Sequence, residues 1–199
     1  MDAIRPLGGL VLAGGRSRRM GAPKALADRA GVPLVVHVAR TLREVCDPVV
    51  VVHAPGQPLP ELPPGVELVA DSAADRGPLQ AIADGLAALE GRCRAVFVAA
   101  TDLPLLTAAT VAELGALLGE QDEAVVPVRD GRRQSLAAVY RIGLARRAAE
   151  LLATGERRAG ALLEGAAVRE VAAETLTDPR SLTNVNTPEE LAEALRGAG

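Results

Sequence analysis

Aromatic residues are almost missing from this chain. Its 199 residues include one Phe (Phe97), one Tyr (Tyr140) and no Trp. A flat ligand such as a purine therefore finds almost no aromatic face to stack on, and a base must be read by backbone groups and aliphatic contacts. Lysine is as scarce: 22 residues are basic, and Lys24 is the single lysine among them. The two cysteines, Cys46 and Cys93, are far apart and form no C-x-x-C, which argues against a zinc site or a redox pair. They read as small buried hydrophobes in a reducing compartment. No run reaches the ~18 apolar residues of a membrane span, and Met1–Gly9 has no basic region followed by an apolar core, so no signal peptide is expected. The net charge of -3 carries no nucleic-acid signature. These absences together predict a cytoplasmic protein that engages neither membrane nor nucleic acid.

What is present is apolar material in short runs. Hydrophobic residues make up 49% of the chain, enough for one sizeable core, and the length predicts one domain over 1–199. Residues 9–13 read as a buried strand ending at Gly14-Gly15, and 48–54, with four consecutive valines, as another. A strand is expected at 66–70, ending at Asp71, and one at 95–100, ending at Thr101-Asp102. Helices are expected at 33–46, at 77–89 with Pro78 at its first position, and at 107–118 with Thr107 as N-cap. The stretch 55–65 holds five prolines and reads as a surface loop. Further on, strands at 124–128 and 135–140 flank the turn Asp130-Gly131, a helix covers 143–152, and a strand covers 168–172. Thr187-Pro188-Glu189-Glu190 predicts a capping box opening a last helix to about Arg196. Strands alternating with helices imply a mostly parallel sheet covered on both faces. Ligands of such folds sit outside the carboxyl ends of the strands.

Three polar features fall at those ends. The first is Leu12-Ala-Gly-Gly-Arg-Ser-Arg-Arg-Met-Gly-Ala-Pro-Lys24. Its glycines let backbone N–H groups approach phosphate oxygens, and Arg16, Arg18, Arg19 and Lys24 supply charge. It is neither a G-x-x-x-x-G-K-[ST] P-loop nor a G-x-G-x-x-G dinucleotide turn. A glycine-rich turn with solvated arginines is the competing reading. Lys24 favours the phosphate cradle, because a chain that otherwise uses Arg keeps its one compact ammonium here. The second feature is Asp102, which suits a Mg²⁺ ligand shared with phosphates and water, or equally a turn residue. The third is Asp71 with Gly77-Pro78-Leu79, where a helix N-terminus offers N–H groups; the carboxylate can accept from a base or ribose, although a strand-end Asp taken alone is more often a turn residue. In Asn184-Val185-Asn186 two amides share one side of an extended segment. His37 lies in a helical apolar stretch and reads as structural. His53 ends a strand and can face the site. No Ser-His-Asp or Cys-His arrangement suggests a covalent nucleophile.

These motifs, in this order, resemble the molybdenum cofactor guanylyltransferases, the MobA proteins. The resemblance runs over almost the whole chain. It implies a Rossmann-like, three-layer single domain of the nucleotide-diphospho-sugar transferase type. It also implies a Mg²⁺-dependent reaction in which GTP and molybdopterin-bound molybdenum give the guanine dinucleotide cofactor and pyrophosphate. By resemblance Leu12, Ala13, Gly14, Gly15, Lys24, His53, Asp71, Gly77, Pro78, Leu79 and Asp102 hold the nucleotide. Arg19, Lys24 and Asp102 carry the chemistry, Asp102 binds the metal, and Asn184 and Asn186 face the acceptor. Transient contacts with cofactor-biosynthesis proteins and apo-molybdoenzymes are implied. His53 stands where the family often has Asn, and Gln80-Ala81 where it usually has Ala-Gly. The double glycine resembles the guanine-using branch. The alternatives are a related transferase using CTP or another phosphorylated acceptor, and a nucleotide-binding protein without catalysis; a dinucleotide-binding oxidoreductase lacks its glycine motif.

Overall fold

A computed structural model describes residues 6–14, 28–29, 31–73 and 77–197. Its elements follow in chain order: β1 (Leu7–Leu12), β2 (Asp28–Arg29), β3 (Val32–Pro33), α1 (Leu34–Arg43), β4 (Val49–His53), β5 (Val66–Ala70), α2 (Pro78–Leu89), β6 (Ala95–Ala100), α3 (Ala108–Ala116), β7 (Ala124–Arg129), β8 (Arg132–Arg133), β9 (Ala137–Arg141), α4 (Leu144–Ala153), β10 (Val168–Ala172) and α5 (Pro188–Arg196). The main sheet runs β10-β7-β9-β6-β1-β4-β5, with β8 against β7. β1 pairs in parallel with β4 and β6, and β4 with β5. β9 runs against β6 and β7, while β10 follows β7 in parallel. The expected mostly parallel sheet is therefore present, with one antiparallel insertion.

The inner strands are apolar on both faces because helices cover both. Val49, Val50, Val51 and Val52 are all fully buried, as a central parallel strand requires. Alternate residues go to opposite layers. Val11, Val51, Phe97 and Val139 meet α1 and α3 on one face. Leu10, Val52, Val98 and Tyr140 meet α2 and α4 on the other. A third small cluster seats α5, with Leu191 and Val185 against Leu34 at the start of α1. Both cysteines are free and buried, and burial pushes the Cys46 thiol up to about 12, so it stays an inert thiol.

Local signals set the helix ends. Thr107 caps α3 by accepting from the Thr110 N–H, and Thr187 caps α5 by accepting from the Glu190 N–H. The expected capping box is altered in one arm: the Glu190 carboxylate accepts from the Asn186 N–H at 2.6 Å, one residue before the cap. The first helix is shorter than its apolar pattern, ending at Arg43, and Pro33 is its N-cap. The Asp130-Gly131 turn has φ of 50° and 70°, the left-handed pair that a two-residue hairpin needs. Gln134 N–H still follows the β8 register onto Pro127 O, but the returning chain then breaks before β9: Ala137 N–H turns back to Gln134 O and Leu136 O accepts from Ala100 N–H.

Candidate active site at the carboxyl edge of the sheet

From β1 the chain moves outward to β4 and β5, then returns through α2 to β6 on the other side of β1. That reversal makes a switch point between β1 and β6, and the crevice at such a point opens beyond the carboxyl ends of the strands. Gly14 follows β1, His53 ends β4, Asp71 follows β5 and Asp102 follows β6. The four strand ends that sequence reasoning singled out thus lie along one edge. With adjacent strands about 4.8 Å apart, Asp71 and Asp102 are separated across the sheet by roughly 14 Å.

Backbone hydrogen bonds lock these ends together. Ala13 N–H donates to Val52 O at 2.8 Å, and Asp71 N–H donates to His53 O at 2.8 Å. The Gln57 side chain, from the proline-rich loop, bridges the ends of β1 and β4. Its amide donates to Ala13 O at 2.9 Å, and its carbonyl accepts from Ala54 N–H at 3.1 Å. Sequence reasoning missed Gln57, whose partner Ala13 lies 44 residues away. Ala13's own backbone groups are therefore used by the protein. Leu12 and Ala13 are buried and Gly14 is exposed, so the chain becomes accessible at Gly14. Gly14 does not need a left-handed backbone; a Cβ there would stand 3.7 Å from Ala54 N, an ordinary contact. Gly15, Arg16, Arg18, Arg19 and Lys24 lie outside the described residues.

His53 Nδ1 lies 2.9 Å from Ala54 O. A carbonyl only accepts, so Nδ1 is the donor, and in that tautomer Nε2 is left as the acceptor. Asp71 is half-buried, and one of its oxygens accepts from Ala73 N–H at 3.0 Å. Its carboxyl is held above the usual range, first by burial and then by neighbouring Asp84, against the pull of the Ala73 hydrogen bond.

The turn into α2 departs from expectation in one respect. Pro78 has no N–H, and the Leu79 N–H donates to Arg157 O at 3.2 Å, so the first donor of this helix is taken. Gly77 makes that closure possible. Its φ is 77° with ψ 180°, a region essentially reserved for glycine, and a Cβ there would stand 2.8 Å from Arg157 O.

Asp102 is half-buried among buried neighbours, Thr101 and Leu103. Its carbonyl accepts from Val185 N–H at 2.9 Å. Val185 is 1% exposed and anchors the segment in the core, which leaves Asn184 and Asn186 exposed on either side of it. Asn184 donates to Gln134 Oε1 at 3.2 Å. Beyond it a cavity of about 520 Å³ opens, lined among others by Arg129, Arg132, Gln134 and Asn184. Arg129 is committed to the Leu182 and Pro179 carbonyls; Arg132 is exposed at the hairpin. Asp102 thus stands with Gly14, His53 and Asp71 on one side along the edge and a cavity with arginine in its wall on the other. Among the described residues no group of three His, Cys, Asp or Glu side chains could hold a metal by itself.

A family model described as the MobA-like NTP transferase domain matches residues 9–173. The chain belongs to the MobA-like NTP transferase family. Curated members of similar sequence cover nearly its full length. A probable molybdenum cofactor guanylyltransferase of Mycobacterium tuberculosis (strain ATCC 25618 / H37Rv) is 46% identical over 185 residues, 92% of this chain and 90% of that protein. One from Mycobacterium avium (strain 104) is 41% identical over 188 residues, 93% of each chain. Two solved structures share the fold. Molybdopterin-guanine dinucleotide biosynthesis protein A from Archaeoglobus fulgidus aligns with a TM-score of 0.75 at 23% identity, over 96% of this chain and 98% of that one. The 2-C-methyl-D-erythritol 4-phosphate cytidylyltransferase from Thermus thermophilus aligns with a TM-score of 0.72 at 21% identity, over 97% and 98%. As a MobA-like transferase the chain is a nucleotidyltransferase. Among the described residues, no helix is long and apolar enough to cross a membrane.

Proposed function

We propose that this MobA-like transferase moves GMP from GTP to the molybdenum–molybdopterin cofactor, forming molybdopterin guanine dinucleotide and pyrophosphate, as a single cytoplasmic domain over 1–199. The observation that carries the reading is the Val185 N–H to Asp102 O bond at 2.9 Å, which ties the Asn184–Asn186 segment to the strand end between nucleotide edge and cavity. The names of the 46% and 41% identical relatives support the same substrates. Transient contacts with proteins of cofactor biosynthesis and with apo-molybdoenzymes belong to the same proposal.

In this reading Gly14, Gly15, Lys24, His53, Asp71, Gly77 and Pro78 hold GTP along the edge, and Leu12, Ala13 and Leu79, which are buried, support it rather than touch the nucleotide through their side chains. The base is read without stacking, by His53 Nε2, the Asp71 carboxylate and backbone. A phosphate oxygen of the acceptor, already anionic at neutral pH, attacks the α-phosphorus. The new P–O bond forms as the bond from that phosphorus to the α,β-bridging oxygen breaks, and pyrophosphate leaves with the electron pair. No general base is required, in keeping with a site whose described part holds a single histidine, His53. The obstacle is charge and alignment, which Arg19, Lys24 and loop N–H groups relieve by stabilising charge in the transition state. Asp102 fits a Mg²⁺ ion as that ion is usually held, by one or two carboxylates with the remaining positions on substrate phosphates and water. Bound there, Mg²⁺ supplies neutralisation of the triphosphate. Asn184 and Asn186 face the acceptor, which approaches from the cavity side.

GTP, CTP, ATP and UTP, each with Mg²⁺, are compared by thermal shift on the wild type and Asp102→Asn. GTP gives the largest stabilisation of the wild type, and Asp102→Asn removes its Mg²⁺-dependent part. A larger shift with CTP, or unchanged Mg²⁺ dependence in the variant, refutes the assignment.

A further inference from the structure

Gln80 is a buried amide in the first turn of α2, 8% exposed, among few buried polar residues. A buried amide is costly unless hydrogen-bonded, and this one is bonded toward the nucleotide edge. Its Nε2 donates to Ser72 Oγ at 2.8 Å and to Asp84 Oδ1 at 3.2 Å. Gln80 and Asp84 are four apart on α2 and share a face. Ser72 completes the ring: its N–H donates to Asp84 Oδ2 at 2.8 Å and its hydroxyl to Asp84 Oδ1 at 2.9 Å. The donors and acceptors are consistent throughout. The hydroxyl gives its one proton to Asp84 and accepts from the amide, and a carboxylate that can only accept fixes which end of the amide faces it.

This ring grips the residue next to Asp71. Asp71 is already tied through its N–H to His53 O and through one oxygen to Ala73 N–H. Asp84 is also near enough to disfavour ionisation of Asp71, so the three donors that compensate Asp84 reduce its repulsion of that carboxylate. We propose that Gln80 is a positioning residue for nucleotide recognition, holding the 71–73 turn through Ser72 and Asp84 so that Asp71 accepts hydrogen bonds from the nucleoside. This rests on the reading of Asp71 as a nucleotide ligand.

The test is a cycle of variants in pyrophosphate release with GTP, Mg²⁺ and molybdopterin. Gln80→Ala and Ser72→Ala each raise KM for GTP about five- to tenfold, with kcat within about twofold. In an Asp71→Asn background Gln80→Ala adds less than about a twofold change, because it acts through a carboxylate no longer there. Ser72 is exposed, so its variant folds even if Gln80→Ala does not. Unchanged KM in the single variants overturns the proposal, and so does a Gln80→Ala effect that multiplies in full with Asp71→Asn. If Asp71→Asn itself keeps wild-type KM, the nucleotide-ligand reading falls and takes the proposal with it. That outcome is distinct from a raised KM in Asp71→Asn beside an unaffected Gln80→Ala.

Discussion

Replacing Gly77 with alanine tests the link between backbone geometry and the nucleotide edge. Two costs arise from one methyl group. The first is conformational: φ 77° with ψ 180° costs a non-glycine residue about 1–3 kcal/mol. The second is steric. The new Cβ would lie 2.8 Å from the Arg157 carbonyl oxygen and 3.1 Å from Arg157 Cβ, and a backbone carbonyl cannot swing aside like a side-chain tip. Moving it stretches the Leu79 N–H bond to the same oxygen, already 3.2 Å, a loss of about 1 kcal/mol. The sum is about 2–4 kcal/mol, or a fall in Tm of roughly 4–16 °C for a domain of this size. The start of α2 shifts with it, so the KM for GTP rises while the chemical step is spared. Gly143 is the control: its φ is -59° and a Cβ there meets nothing within 4 Å, so Gly143→Ala stays within about 0.5 kcal/mol of wild type. Thermal melts and KM for GTP on both variants decide the matter. A Gly77→Ala protein with the Tm and KM of wild type would refute the closure of this turn by Arg157.

His37 gives a pH prediction. Burial, with a smaller push from Arg29 and Arg40, lowers its pKa to about 4, against the pull of Pro104; the unfolded ring titrates near 6.5. The unfolded state therefore binds more protons between those values, and stability present above about pH 6.5 is lost as pH falls through 4. Allowing for screening of a partly exposed ring, the loss is about 1–2 kcal/mol; denaturant titrations at pH 7 and 4.5 measure it, and His37→Gln flattens the slope. Lys24→Ala lowers kcat/KM about 100-fold or more with an unchanged melting curve, and wild-type turnover would remove Lys24 from the site. Arg132→Ala raises the acceptor KM about five- to tenfold and leaves the GTP KM alone; the reverse pattern contradicts an acceptor on the cavity side.

Much of the fold was legible because its signals are local. The run Val49–Val52 fits only a strand buried on both faces, and Ala95–Ala100 coincides with its expected bounds. Thr107, Thr187 and Pro78 mark helix starts by chemistry contained within a few residues. The strand-end residues were legible for a related reason: in a parallel sheet, polar residues just after apolar runs must collect along one edge. The closures between distant segments were not legible. Gln57 reaching Ala13, Arg157 closing on Leu79 and Val185 bonding Asp102 depend on contacts far apart in sequence, and no periodicity announces them. The ring of Gln80, Ser72 and Asp84 was hidden in the same way, since each residue alone reads as an ordinary polar residue facing water. The helix start illustrates the consequence: sequence offered free N–H groups after Gly77, and the distant Arg157 carbonyl takes one of them. The break between β8 and β9 likewise follows from Leu136 turning to β6, a choice made by the neighbouring strand.

Nucleotidyl transfer to the pterin cofactor is the claim on which the site assignments depend. Pyrophosphate release is followed with purified protein, Mg²⁺ and molybdenum–molybdopterin, with GTP or CTP as donor. The expected result is release that needs the acceptor, proceeds with GTP well ahead of CTP, and matches the guanine dinucleotide formed mole for mole. Faster release from CTP, or GTP bound with no pyrophosphate released in the presence of acceptor, would contradict it.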